Sequence, residues 1–208
     1  MVLIMSRAVI YLHGFNSSPQ SMKAMVTQQY FQQHFPEVSF YCPQIMSTPQ
    51  DAVAQITALV EAITSPHQYY FIGSSLGGYL ATYFAEKYGC KAVLINPAVK
   101  PYELLQEYLG EQTNPYTKET YYVNEDFIDD LKVLEQNQLQ DKDNYFVMVQ
   151  TGDEVLDYRQ AVAKYQNHHL LIQQGGDHSF IDYDKMLPQI TAFFFREQKT
   201  QIPKVTTS

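Results

Sequence analysis

Residues 69–79 read YYFIGSSLGGY, an apolar run that passes through small residues into a helical pattern. Residues 73–77 of this stretch match G-x-S-x-G, which is typical of a nucleophile elbow, a tight strand-to-helix turn that exposes a serine. Such a turn crowds the residues two before and two after the serine, so both must be small. Gly73 and Gly77 meet this requirement for Ser75, whereas large apolar residues would occupy those positions around Ser74. Ser75 is therefore the predicted nucleophile.

Apolar runs and helical patterns alternate on both sides of this turn. Two helices are predicted to begin at Ser18-Pro19 and Thr48-Pro49, where a capping residue precedes a proline. The alternation predicts an α/β fold with a mostly parallel sheet of about six strands flanked by helices. The predicted strands are Ala8–Leu12, Val38–Cys42, Tyr69–Ile72, Lys91–Ile95, Tyr145–Gln150 and Leu170–Gln173.

The length of 208 residues predicts a single domain over residues 1–208. Residues 97–144 provide more chain before the fifth predicted strand than one crossover helix needs, so we expect a small cap-like insertion there. The polar tail at 199–208 is expected to be loose.

The composition argues against several classes of function. The net charge is −8, so the basic field that holds nucleic acid is absent. No apolar stretch reaches the ~18 residues of a membrane span, and Met1–Arg7 is a poor signal peptide, so we expect a cytoplasmic protein without stable membrane insertion. The sequence contains neither a metal-ligand cluster nor a nucleotide-binding glycine motif, so no metal or cofactor is predicted.

A serine hydroxyl needs a neighbouring base to act as a nucleophile at neutral pH. His178 follows two glycines after the last predicted strand, and His13 ends the first strand. Both face the crevice at the carboxyl ends of the strands. We predict His178 as the base, because a Gly-Gly loop can aim its ring at Ser75, and keep His13 as the weaker candidate. Surface or structural roles are expected for His34, His67, His168 and His169.

The base in turn needs a carboxylate that orients it. Asp153 comes directly after the glycine that ends the fifth predicted strand and ranks first. Asp157 ranks second, because it also reads as the cap of the next helix. Glu154 would replace Asp153 only if the loop turned differently, and Asp177 adjoins the histidine too closely to face it. The resulting order of serine, acid and histidine is that of α/β-hydrolases.

Two backbone N–H groups are predicted to stabilise the oxyanion of a tetrahedral intermediate. One belongs to Leu76, the residue after the nucleophile, and the other to Phe15, after the first strand. Support of the elbow and of the oxyanion loop is assigned to His13, Gly14, Gly73 and Gly77.

Five segments of the chain, in order, resemble the YqiA-like esterases, a family of small bacterial α/β-hydrolases. The likeness extends from about Ala8 to Phe195. It implies a serine esterase acting on carboxylic esters, with thioesterase activity on acyl-CoA as a further expectation, and a triad of Ser75, Asp153 and His178. The segments are Leu12–Pro19, Gly73–Tyr79, Asn96–Val99, Asn114–Tyr116 and Thr151–Tyr158.

The expected function is hydrolysis of small-molecule carboxylic esters through an acyl-enzyme on Ser75. The small size and modest insertion favour an open site and short or medium acyl chains. An acyl-CoA thioesterase or a small peptidase would use the same triad. A non-catalytic binding protein with this fold is the alternative from another class, and it would be expected to have lost a triad residue.

Overall fold

The computed structural model describes residues 6–63, 67–140 and 143–195. The predicted tail at 199–208 lies outside the described residues. The strands are β1 Ser6–Leu12, β2 Val38–Tyr41, β3 His67–Ser74, β4 Lys91–Ile95, β5 Gly110–Thr113, β6 Thr120–Val123, β7 Tyr145–Gln150 and β8 His169–Gln173. The α-helices are α1 Met22–His34, α2 Pro49–Ala62, α3 Leu76–Tyr88, α4 Pro101–Leu104, α5 Glu125–Val133, α6 Tyr158–Lys164 and α7 Leu187–Phe195. Two 3₁₀ turns cover Leu105–Tyr108 and Tyr183–Met186.

Six strands form one parallel sheet in the order β2-β1-β3-β4-β7-β8. The prediction of a mostly parallel sheet of about six strands is confirmed. The ends of the central strands are level, since Leu12 pairs with Gly73 and Ser74 pairs with Ile95. The loops after β1, β3 and β4 therefore meet at one edge of the sheet, where parallel α/β folds build their sites.

Helices cover both faces of the sheet because alternate side chains of each buried strand point to opposite faces. One apolar cluster joins Ile10, Phe71 and Val147 to residues of α2, α3 and α6. The other joins Val9, Tyr70 and their face of the sheet to α1 and α7. The apolar runs of the central strands, such as Ala8–Leu12 and Ala92–Ile95, are thus buried on both faces of the sheet.

Helix boundaries follow the predicted caps in one case and depart from them in another. Thr48 caps α2, because its side-chain oxygen accepts a hydrogen bond from the Asp51 N–H, and Pro49 begins the helix as predicted. The predicted helix start at Ser18-Pro19 is wrong, since α1 begins at Met22. The Ser18 hydroxyl instead accepts from the Gln20 N–H and forms a local turn before the helix.

The stretch 97–144 holds α4, a 3₁₀ turn, the β5–β6 hairpin and α5, placed between two neighbouring strands of the sheet. Helix α5 buries Phe127, Ile128 and Leu131 in the same apolar cluster as α3. The hydroxyl of Tyr79 in α3 also donates a hydrogen bond of 2.6 Å to the Leu131 carbonyl oxygen. This segment, which the sequence predicts as a cap-like insertion, therefore packs through α5 against α3.

Within the described residues, none of the helices combines the length and the apolar character that crossing a bilayer requires.

The bond between α3 and α5 predicts a measurable stability effect. Tyr79→Phe removes one of the donors to the buried Leu131 carbonyl oxygen, which still accepts the Leu134 N–H. The variant should therefore lower the free energy of unfolding by about 0.5–1.5 kcal/mol, the net contribution of one hydrogen bond. Tyr122→Phe removes the same atom from a side chain that is 63% exposed and should change stability by less than about 0.5 kcal/mol. Urea unfolding of both variants checks this, and equal effects would contradict the proposed bond energy.

Candidate active site

Ser75 occupies a strained backbone position between β3 and α3. Its φ of 57° and ψ of −122° lie in a region that residues with a side chain rarely adopt. A side-chain carbon at Gly73 would collide with the backbone of Gly77, and one at Gly77 would collide with the Leu12 carbonyl oxygen. The two glycines therefore let α3 begin directly against the ends of β3 and β1, which holds Ser75 at the tip of the turn.

The end of β4 fixes the peptide groups of Ser75. The Ser75 N–H donates to the Ile95 carbonyl oxygen over 3.1 Å, and the Ser75 carbonyl oxygen accepts from the N–H groups of Gly78 and Ala98. These bonds compensate for the strained conformation and leave the side chain to face the crevice.

The structure brings Ser75, His178 and Asp153 into one chain of hydrogen bonds. The Nε2 atom of His178 lies 3.1 Å from Ser75 Oγ, and its Nδ1 lies 2.9 Å from Asp153 Oδ2. An Nδ1–H donor to the carboxylate leaves Nε2 free to accept the serine proton. The Asp153 side chain is 2% exposed and that of His178 is 24% exposed, so the acid is buried and the histidine faces the crevice.

Hydrogen bonding keeps the Asp153 carboxylate ionised. Burial by itself raises the pKa of this carboxyl group, but the bonds from His178, Leu156 and Val155 outweigh it and leave the pKa below its ordinary value. The two backbone N–H donors each lie 2.9 Å from Asp153 Oδ1. A fixed negative charge therefore lies beside His178 Nδ1.

The other acidic candidates have different partners. Asp157 caps α6 by accepting the Arg159 N–H. Glu154 accepts the backbone N–H of His178 over 3.0 Å and so holds the histidine loop rather than the ring. Asp177 Oδ1 accepts from the Ser179 hydroxyl.

Both ring nitrogens of His13 bond backbone groups, and this pattern requires a neutral ring. Its Nε2 accepts the Ile45 N–H over 3.0 Å, so Nδ1 carries the proton and donates to the Gly14 carbonyl oxygen. Burial lowers the pKa of this imidazole, with the bond to Gly14 opposing the change. The weaker candidate for the base thus braces the loop after β1.

That loop carries the predicted oxyanion donor of Phe15 close to the nucleophile. A side-chain carbon on Gly14 would lie 3.2 Å from Ser75 Cβ, so the loop passes against the serine. Leu76 begins α3, where first-turn N–H groups have no partner within the helix. In the described part of the chain, no backbone carbonyl engages the N–H of Phe15 or Leu76.

Side chains from 97–144 and Gln44 bond the same loop, and the sequence did not indicate these contacts. Asn114 Nδ2 and Gln44 Nε2 each donate to the Ser17 carbonyl oxygen over 3.1 Å. The Tyr121 hydroxyl donates to Asn16 Oδ1 over 2.8 Å, at a residue whose φ is 51°. Residues of the β5–β6 region therefore help to fix the loop after β1.

Two buried polar residues hold the loop of His178, and neither was assigned a role from sequence. Asn96, at the end of β4, donates through Nδ2 to the carbonyl oxygens of Asp177 and His178. Gln150, at the end of β7, accepts the N–H groups of Asp177 and Ile181 through Oε1. Both side chains are 3% exposed. A polar residue ending an all-buried strand was the available signal for Gln150.

Ser75, His178 and Phe15 line a cavity of about 270 Å³ at the carboxyl edge of the sheet. A second space of about 40 Å³ adjoins the loop after β1 at Gly14 and Phe15, and Leu76 and Leu80 border it. A larger depression of about 520 Å³ lies between the start of α2 and α5, away from this group. We place the candidate active site in the first cavity, because it alone of the three contains the serine and histidine.

The chain matches one protein-family model, and its fold resembles several solved structures. The model of the uncharacterised protein family UPF0227 matches residues 8–195. Among solved structures, a protein from Agrobacterium vitis S4 assigned as a hydrolase superposes with a TM-score of 0.72 at 19% identity, over 91% of this chain and 88% of its own. Est1E from Butyrivibrio proteoclasticus gives 0.67 at 16% identity, over 93% and 88%.

A third neighbour is the esterase domain of a Rhodothermus marinus protein, with a TM-score of 0.66 at 14% identity, over 92% of this chain and 88% of that one. At these identities the likeness establishes the fold. The predicted α/β-hydrolase fold is confirmed.

The contacts of Gln150 predict a local effect on the histidine loop. Gln150→Met leaves the Asp177 and Ile181 N–H groups without their acceptor, so their amide hydrogen exchange should accelerate about tenfold or more. Gln160→Met, on the exposed face of α6, is the matched control and should leave exchange unchanged. Equal acceleration at Ile10 in the core of β1 would mean global destabilisation and would contradict a local clamp.

Proposed function

Since this chain belongs to the uncharacterised protein family UPF0227, we propose that its α/β-hydrolase fold serves a serine esterase that hydrolyses carboxylic esters through an acyl-enzyme on Ser75. The observation that carries the proposal is the continuous link from Ser75 Oγ through His178 to the buried Asp153 carboxylate. The hydrolase and esterase identities of the structural neighbours are consistent with it.

In the acylation step, His178 Nε2 takes the proton of Ser75 as Oγ attacks the ester carbonyl carbon. The Asp153 carboxylate stabilises the imidazolium that forms and keeps its ring in place. His178 then gives this proton to the leaving alcohol oxygen as the tetrahedral intermediate collapses. The product of the step is an acyl ester on Ser75.

Negative charge develops on the former carbonyl oxygen during this step. In the proposal the N–H groups of Leu76 and Phe15 donate to it. The loop contacts of His13, Asn114 and Tyr121 favour this role, because a donor must be held in place before the charge appears.

In the deacylation step, His178 removes a proton from water, which attacks the acyl carbon. The second tetrahedral intermediate expels Ser75 Oγ, which recovers its proton from His178. The acyl group leaves as the carboxylic acid, and Ser75 and His178 return to their starting protonation states.

Two catalytic alternatives use the same triad. An acyl-CoA thioesterase would expel a thiol, and a small peptidase would expel an amine. A non-catalytic binding protein is disfavoured. Binding alone would not require a serine in a strained conformation to be hydrogen-bonded to a histidine that is in turn bonded to a buried carboxylate.

An activated serine predicts covalent labelling at one position. Intact mass after incubation with a fluorophosphonate should show a single adduct on the wild type and none on Ser75→Ala. Asp153→Asn should slow the labelling by roughly 10²- to 10⁴-fold, because the base loses its orienting charge.

The matched variant Asp157→Asn should label at close to the wild-type rate, since Asp157 caps α6 and does not contact His178. An unlabelled wild-type protein with native circular dichroism would overturn the proposal and favour the binding protein. A labelling rate that falls further in Asp157→Asn than in Asp153→Asn would make Asp157 the carboxylate that orients His178.

The substrate class has its own test. Straight-chain 4-nitrophenyl esters should give the highest kcat/KM at short or medium acyl length, because the space beside Leu76 and Leu80 is small. Thioesters and anilides with the same acyl groups should react more slowly. A preference for the thioester or the anilide at equal acyl length would replace the esterase assignment.

A further inference from the structure

The cavity that contains Ser75 also contains one lysine. Lys23, in the first turn of α1, lines this cavity together with His178 and Ser179. Histidines apart, it is the only side chain with a formal charge among the described residues that line the cavity. A single cation in a small cavity gives that cavity a preference for negatively charged groups.

The ammonium group of Lys23 has bonding capacity left over. Its Nζ donates to the Ser179 carbonyl oxygen over 2.7 Å, and a lysine has three N–H donors. No ion pair among the described residues includes Lys23.

The two carboxylates whose charges act on Lys23 already have partners, since Asp153 bonds His178 and Asp177 bonds Ser179. Burial lowers the pKa of Lys23, and the two carboxylates only oppose this change. A half-buried ammonium of this kind gains most from an anion that reaches it directly.

The position of Lys23 indicates which part of an ester would meet it. Ser179, its hydrogen-bond partner, directly follows His178 along the chain. His178 delivers its proton to the leaving oxygen in the proposed reaction, so the leaving group lies beside this histidine. The small space at Leu76 and Leu80 borders the same loop after β1, and none of the described residues that line it is a lysine or an arginine.

We propose that Lys23 binds an anionic oxygen group, a carboxylate or a phosphate, on the leaving alcohol, so that the protein selects acyl esters of anionic alcohols. This inference rests on the proposed esterase function and adds the class of leaving group. Lys23 is a specificity residue in this account, and the chemical step remains with Ser75, His178 and Asp153.

The test compares esters that differ only in the charge of the leaving group. Butyrate esters of meta-carboxyphenol and of meta-carbamoylphenol have nearly the same shape, and only the first is anionic. In the wild type, kcat/KM should be higher for the carboxylate ester. Lys23→Met should lower the ratio of the two kcat/KM values by about tenfold, which corresponds to one charge-assisted hydrogen bond. Lys23→Arg should retain most of the ratio.

Lys87→Met is the matched control, because it removes the same charge twelve residues along α3, about 18 Å from Ser75 by helix rise. Its ratio should equal that of the wild type. Added salt should reduce the wild-type ratio and leave that of Lys23→Met unchanged. A phosphonate in place of the carboxylate gives a parallel series, and the larger Lys23-dependent ratio identifies the preferred anion.

Three outcomes would overturn the inference: a Lys23→Met ratio equal to the wild-type ratio, an equal loss in Lys87→Met, or a loss that appears only when the carboxylate is on the acyl side. A purely structural role of Lys23 would lower both rates together and leave the ratio constant. Failure of the proposed esterase function would look different, because the wild type would hydrolyse neither ester and fluorophosphonate would not label Ser75.

Discussion

The site depends on one close approach, that of the first turn of α3 to the end of β1. Only a residue without a side-chain carbon fits where Gly77 meets the carbonyl oxygens of Leu12 and His13. This contact places the start of a helix directly on the edge of the sheet and forces Ser75 into its strained conformation. It also places the loop after β1 against the serine, so Ser75 and the proposed oxyanion donor Phe15 follow two strands that are neighbours in the sheet.

Polar groups hold the histidine at the opposite side of the crevice. The loop from Gly175 to His178 contains two glycines with positive φ and would have little stiffness by itself. Asn96 and Gln150 supply buried hydrogen bonds to its backbone, and Glu154 takes the N–H of His178. Buried amide side chains are costly unless they are bonded, and both the oxygen and the nitrogen of the Asn96 and Gln150 amides have partners. A satisfied buried network of this kind stiffens the loop and so fixes the position of the imidazole.

The sequence predicted those features that depend on local pattern or on the general geometry of parallel sheets. Periodicity predicts the six strands, and the Thr48-Pro49 pair predicts the start of α2. Glycine placement and the common edge of the parallel strands predict that Ser75, Asp153 and His178 lie together. The prediction failed at Ser18, because a serine before a proline caps a helix or closes a turn with the same local groups. The sequence could not predict the contacts of Asn96 and Gln150, because each contact joins residues that lie far apart in the chain.

The position of the insertion bears on how the site is assembled. A cap that opened as a separate body would break the bonds of Asn114 to Ser17 and of Tyr121 to Asn16, and it would also separate Tyr108 from the ring of Phe15. The same movement would release the loop that carries the proposed oxyanion donor. Opening for substrate and holding the transition state would then compete for one set of contacts. A hairpin that stays in place avoids this conflict and keeps Tyr116, at its turn, in the wall of the cavity that contains Ser75.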